Sequence, residues 1–197
     1  MNNPSRQFPS WRVLLSTGKD AFKNVHQLVL VTGESGCGKT TWCQELIQQA
    51  RLEGFSPLGV ISPAVFVDNN KVGIDLLVIH TGERKHLAFR RSDAKAKGSS
   101  GPHTKAWQFN AEVLNWANQS LDNLTKGDLL ILDELGPLEY LENQGLVNGL
   151  KLIDEHRYRI ACVTVRPLLL ATAQERWPWS VVLDLSKSPS DFQGSVP

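Results

Sequence analysis

The chain has 197 residues, 41% hydrophobic and 21% charged, with a formal net charge of +1; that is enough apolar material for one domain with its own core. The near-neutral balance excludes a global field drawing it to nucleic acid or acidic lipid. Cys37, Cys43 and Cys162 have neither the number nor the spacing of a disulfide framework or zinc site, and no apolar run reaches the roughly 20 residues of a membrane span. The polar start, Met1 to Gln7, lacks the apolar core of a secretory signal, so a soluble cytoplasmic protein with reduced thiols is expected.

Residues 1–24 form a polar lead-in with one apolar patch, Trp11 with Val13, Leu14 and Leu15. Leu28 to Val31 is a continuous apolar run, as expected of a strand buried on both faces. After a glycine-rich turn, Trp42, Leu46, Ile47 and Ala50 fall on one helical face, which Gly54 ends. Leu58 to Ile61 predicts a second strand. Val72, Ile74, Leu76 and Val78 then alternate between turn signals at Asp68-Asn69-Asn70 and Thr81-Gly82-Glu83, and Leu87-Ala88-Phe89 follows, which reads as an inserted antiparallel meander.

Ser92 to Lys105 is basic, without periodicity, and reads as a mobile loop over 92–105. Phe109, Val113, Trp116, Ala117, Leu121 and Leu124 predict an amphipathic helix, and Leu129 to Leu132 the most hydrophobic strand. A helix over Leu146 to Ile153, a strand from Ile160 to Val165, a short helix ending near Trp177-Pro178 and a last strand at Val181 to Leu183 follow. Residues 187–197 read as a disordered tail. The alternation implies a three-layer α/β domain over 25–186, its sheet mostly parallel with right-handed crossovers. Ligands of such sheets bind at the carboxyl edge of the strands.

Gly33-Glu34-Ser35-Gly36-Cys37-Gly38-Lys39-Thr40 matches G-x-x-x-x-G-K-[ST], the P-loop or Walker A pattern, and Thr41 extends it into the helix. A loop that wraps phosphate oxygens with inward N–H groups needs glycine for its backbone angles and its close approach. The helix opening at Lys39 adds its positive end. In this pattern the lysine reaches the β- and γ-phosphates and the Thr40 hydroxyl ligates Mg²⁺. Downstream, Leu129-Leu130-Ile131-Leu132-Asp133-Glu134 ends an apolar strand on two acids, a Walker B arrangement. A carboxylate there is costly unless a charge satisfies it; Mg²⁺ supplies that charge to Asp133, and Glu134 can orient the attacking water as general base. Asp133-Glu134-Leu135-Gly136 also fits a GTPase D-x-x-G, but Thr125-Lys126-Gly127-Asp128 precedes that strand instead of ending a later one, and no LSGGQ is present.

These residues resemble the small P-loop nucleoside-triphosphatases typified by the thermophilic archaeal and bacterial NTPase and the human cancer-related NTPase. The resemblance is carried by GESGCGKTTW at 33–42, VGIDLLVIHTGERKHLAF at 72–89 and LLILDELGPLEYLE at 129–142, and spans about residues 27–170. It carries Gly136, Pro137, Leu138 and Glu139 into the family pattern beside Asp133 and Glu134. The chain departs from the pattern at Ser62-Pro63-Ala64-Val65-Phe66, where the family has an acidic-x-basic segment.

Phosphoryl transfer needs a cation for the charge developing on the γ-phosphate; Arg166, just past the Ile160 to Val165 strand, is the favoured candidate over Arg90 and Arg91. Cys37 lies inside the cradle, either as a small loop residue or as a site where alkylation blocks nucleotide. Trp42 reads as core packing, the five histidines (26, 80, 86, 103, 156) have no ligand spacing, and Lys95, Lys97, His103 and Lys105 read as a solvated basic loop. The expected function is Mg²⁺-dependent hydrolysis of a nucleoside triphosphate such as ATP or GTP to diphosphate and phosphate. The alternatives are a small-molecule kinase and a slowly hydrolysing, partner-directed switch. No base-reading motif is present, a protein partner is left open, and neither membrane nor nucleic acid is expected.

Overall fold

The computed structural model describes residues 26–94, 101–125 and 127–186. Five strands form the parallel part of the sheet: β1 (Gln27–Thr32), β2 (Pro57–Ile61), β7 (Gly127–Leu132), β8 (Tyr158–Thr164) and β9 (Val181–Asp184). The antiparallel meander β3 (Ala64–Val67), β4 (Asn70–Val78), β5 (Arg84–Arg90) and β6 (Trp107–Phe109) extends it. The order across the sheet is β6-β5-β4-β2-β7-β8-β1-β9, with β3 paired to β4. Strand β8 thus lies between β1, which leads into the glycine loop, and β7, which ends at Asp133.

Successive residues of the apolar strands enter opposite cores, which makes the domain three-layered. Val29, Val31, Leu129, Ile131, Ile160 and Cys162 pack with Trp42, Leu46 and Ile47 of helix α1 (Lys39–Leu52). Leu28, Leu30, Leu130, Leu132, Ala161 and Val163 pack on the other face. There they meet α3 (Ala111–Asp122), α5 (Val147–Asp154) and α6 (Leu170–Arg176), which bring Leu121, Leu150 and Ala173. Each such aliphatic side chain contributes about 1.5–3 kcal/mol when fully buried. Trp42 is fully buried, in keeping with packing. Burial pushes the Cys162 thiol up to about 12 and raises Cys43 as well, where the nearby Asp133 adds to the effect, so both thiols are inert core groups.

Three local features differ from the sequence expectations. Phe109 closes strand β6 instead of opening a helix; α3 begins at Ala111, where Asn110 Oδ1 accepts the N–H groups of Glu112 (2.9 Å) and Val113 (3.4 Å). Asparagine is a strong N-cap, and it outweighs the apolar periodicity one turn earlier. Residues Ala64–Val67 form strand β3, which continues past β2 and pairs back on β4. A short helix α4 (Pro137–Glu142) follows the Asp133-Glu134 pair, with Pro137 in its first turn.

Of the segment expected as a mobile loop, Arg91–Ala94 form the short helix α2. Pro102 O and Thr104 N bond to Phe109 N and Trp107 O, which lays this piece along β6. Residues 95–100, like the lead-in 1–24 and the tail 187–197, lie outside the described residues. Among the described residues no helix is long and apolar enough to cross a membrane.

Candidate nucleotide site

The loop between β1 and α1 takes the shape its glycines permit. Gly36 (φ 80°) and Gly38 (φ 102°) occupy backbone conformations that L side chains rarely adopt. Gly33 (φ 142°) shares that conformation, and a Cβ there would lie 2.7 Å from Cys37 Sγ, so a side chain would be strained and would force Cys37 to move. Cys37 N donates to Glu34 O (3.1 Å), tightening the turn. Glu34, Ser35, Gly36 and Thr41 are exposed, while Cys37, Gly38, Lys39 and Thr40 are half-buried. The Lys39 ammonium lies across the loop, donating to Gly33 O (2.6 Å) and Glu34 O (3.1 Å). α1 has no side-chain N-cap, so its positive end is open to an anion.

Asp133 is fully buried at the end of β7. Its Oδ2 accepts Ser62 N–H (3.1 Å) and its Oδ1 accepts the Thr164 hydroxyl (2.8 Å). Two neutral donors do not discharge a buried carboxylate, and the group remains suited to a hard cation. Its carboxylate oxygens and the Thr40 hydroxyl oxygen are the hard donor type that Mg²⁺ takes alongside phosphate oxygens. Among the described residues no cluster of three or more His, Cys, Asp or Glu could form an all-protein metal cage.

Glu134 follows with φ 64°, unusual for a residue with a side chain. Its N–H donates to Thr164 Oγ1 (2.6 Å), and its carboxylate lies 3.9 Å from Arg166, whose side chain is 57% exposed. Burial foremost, then the Asp133 charge, pushes the Glu134 carboxyl above its ordinary range, against the opposing pull of Lys71, Arg166 and Lys39.

The sequence candidates therefore converge at the carboxyl edge of β1, β7 and β8, and Arg166 is placed beside Glu134. Arg90 is turned elsewhere: its Nε donates to Lys71 O (2.8 Å) and its guanidinium stands 5.6 Å from the Trp107 ring centroid. Glu139 is buried and accepts Gly136 N–H (2.7 Å) and Leu146 N–H (2.8 Å), so it braces the turn after Glu134 and the start of α5. Sequence reasoning missed Ser62, Thr164 and Lys71. A signal for the first two exists: the apolar strands end on a hydroxyl residue, Thr32 after β1's Val31, Ser62 after Ile61, Thr164 after Val163.

A parallel sheet carrying a glycine cradle after one strand and an acid pair two strands away is a P-loop nucleotide-binding domain. The NTPase family model matches residues 28–180, and the chain belongs to this family of nucleoside-triphosphate-hydrolysing enzymes. The nucleoside-triphosphatase THEP1 of Methanopyrus kandleri is 28% identical over 152 residues, covering 75% of this chain and 81% of that protein. Its counterpart in Thermococcus kodakarensis is 29% identical over 117 residues, 59% of this chain and 64% of that protein. The one in Archaeoglobus fulgidus is 33% identical over 112 residues, 56% and 61%. The solution structure of a human cancer-related nucleoside triphosphatase shares the fold, with a TM-score of 0.59 at 18% identity over 81% of this chain and 88% of that one.

Proposed function

We propose that this chain hydrolyses nucleoside triphosphates to the diphosphate and inorganic phosphate, with Mg²⁺ as cofactor. The N–H groups of residues 33–41 hold the β- and γ-phosphates. Lys39, now bonded to two loop carbonyls, exchanges them for phosphate oxygens. Thr40 and Asp133 would hold Mg²⁺, which when bound neutralises charge shared by the β- and γ-phosphate oxygens. Glu134 accepts a proton from water as the water oxygen attacks the γ-phosphorus. The bond from that phosphorus to the β–γ bridging oxygen breaks, and its electron pair leaves with the diphosphate. Arg166 offsets the charge that spreads over the γ-oxygens. No residue is assigned to reading the base.

The observation that carries this reading is Glu134: a carboxyl at the strand edge, raised toward the range of a general base, next to a buried aspartate and 3.9 Å from an arginine. The test is phosphate release from ATP, GTP, CTP, UTP and dATP with and without Mg²⁺, for wild type and Glu134→Gln. Turnover should need Mg²⁺ and fall about 10²–10⁴-fold in the variant, with nucleotide affinity kept. Glu134→Gln turning over like wild type sinks the assignment.

A further inference from the structure

Asp133 and Glu134 act on different parts of the proposed reaction, one on the cation and the other on the water, so their separation and aim must be held constant. Glu134 takes a left-handed backbone angle that a residue with a Cβ holds only where its surroundings enforce it. The group that accepts its N–H there is the Thr164 hydroxyl. Glu134 N–H can only donate, so the 2.6 Å contact makes Thr164 Oγ1 the acceptor. The one hydroxyl proton is then free for Asp133 Oδ1 at 2.8 Å, and an ionised carboxylate there can only accept it. Thr164 is 1% exposed and Asp133 0%, so water does not compete for these bonds.

The same strand end reaches the other half of the site. Val165 N donates to Val31 O (2.9 Å), two residues before Gly33, and Arg166 stands beside the Glu134 carboxylate. Three consecutive residues therefore touch the acid pair's backbone and carboxylate and the strand that delivers the phosphate loop.

We propose that Thr164 is a positioning residue for hydrolysis: its hydroxyl locks Asp133 and Glu134 into one unit and, through β8, fixes that unit relative to the phosphate cradle. This rests on Glu134 being the base. A Thr164 that is merely a satisfied core hydroxyl would make the same bonds but would influence only stability.

The experiment compares Thr164→Val, which keeps the shape and removes the hydroxyl, with Thr164→Ser, which keeps the hydroxyl. Each is made alone and with Glu134→Gln, and each is read by kcat, KM, the Kd of the Mg²⁺-nucleotide complex and the Tm. Thr164→Val should lower kcat by about tenfold or more while KM and Kd stay within about threefold, and Thr164→Ser should restore most of kcat. In the Glu134→Gln background Thr164→Val should cost less than about twofold further, because it acts through the residue already removed.

A Thr164→Val kcat within about twofold of wild type per folded molecule overturns the proposal, whatever happens to Tm. So do losses that multiply in the double variant. If Glu134→Gln collapses turnover while Thr164→Val does not, only the role of Thr164 falls. If Glu134→Gln alone leaves turnover intact, the base assignment falls and takes the proposal with it.

Discussion

The carboxyl ends of β1, β2, β7 and β8 carry Thr32, Ser62, Asp133 and Thr164, which with Glu139 are the buried polar and charged side chains among the described residues. The amino ends of β1, β8 and β9 carry aromatic rings instead. His156 stacks on Trp179 at 4.9 Å between centroids and lies parallel to Tyr158 at 6.0 Å; His26, just before β1, meets both His156 and Tyr158 edge-on. Burying a hydroxyl or a carboxylate costs free energy that ring packing does not. At the carboxyl edge that cost is met by four polar side chains on four strand ends, where bound phosphate and Mg²⁺ would draw on it. The amino edge closes the core, and the carboxyl edge holds the residues assigned to the proposed reaction.

This contrast predicts that substitutions at the two edges separate activity from stability. After Glu134 itself, the largest effect belongs to Arg166. It is more than half exposed and its ion pair is with Glu134, so Arg166→Ala should leave Tm close to wild type. It should nevertheless lower turnover by more than about tenfold with nucleotide affinity nearly intact, as expected for a cation acting on transition-state charge. Steady-state kinetics beside nucleotide titration decide this. A near-wild-type rate would remove Arg166 from the site and leave its contact with Glu134 as a surface ion pair.

The pH profile sharpens the same comparison. With Glu134 as the proposed base, hydrolysis would need it ionised; burial with the Asp133 charge raises its pKa, so activity should be lost as pH falls through that raised value. The acid limb of kcat/KM should therefore lie above the ordinary glutamate range near about 4.3. Lys71 opposes the shift, so removing its charge in Lys71→Met should move the limb to higher pH and leave the plateau rate in place. A limb unmoved by that change would mean that Lys71 does not act on the group that limits the rate.

At the amino edge the expectation reverses. Trp179→Ala removes a ring stacked on His156 and a donor 3.4 Å from the Tyr158 hydroxyl. It should cost about 1–2 kcal/mol of stability and leave kcat per folded molecule unchanged. Thermal melts and active-site-normalised rates test both halves. A fall in kcat with Tm unaltered would show that the two edges communicate.

Much of the carboxyl edge was legible in the sequence because its signals are local. The glycine loop declares itself within eight residues, and Asp133-Glu134 announces itself by ending an apolar strand. What was not legible depends on partners far along the chain. Ser62 and Thr164 matter through bonds to Asp133, 71 and 31 residues away; a hydroxyl at the end of an apolar strand marks each locally but does not say which group it meets. Strands β3 and β6 were missed for a related reason. Ala64–Val67 is half-buried to exposed and Trp107–Phe109 has three residues, so each is a strand only because β4 or β5 lies beside it. Lys71 was hidden in the same way: its position relative to Glu134 is set by the β3–β4 hairpin, whose turn at Asp68-Asn69 the sequence showed but whose overhang it did not.

Thr32 is the exception among the buried polar groups of the carboxyl edge, and it gives the smallest and most discriminating effect. Its hydroxyl, directly before Gly33, has no hydrogen-bond partner among the described residues, although its carbonyl accepts Leu185 N–H (2.9 Å). A buried hydroxyl without a partner is destabilising, so Thr32→Val, which keeps the branched shape, should raise stability by about 1 kcal/mol. That corresponds to about 2–4 °C in Tm for a domain of this length. If the variant gains stability and keeps nucleotide affinity, Thr32 is a core residue and the boundary of the site runs between it and Gly33. If affinity for the Mg²⁺-nucleotide falls while Tm rises, the hydroxyl finds its partner only in the bound state. The rule would then hold without exception along the strand ends, since each buried polar group there would serve the reaction at the expense of the free protein.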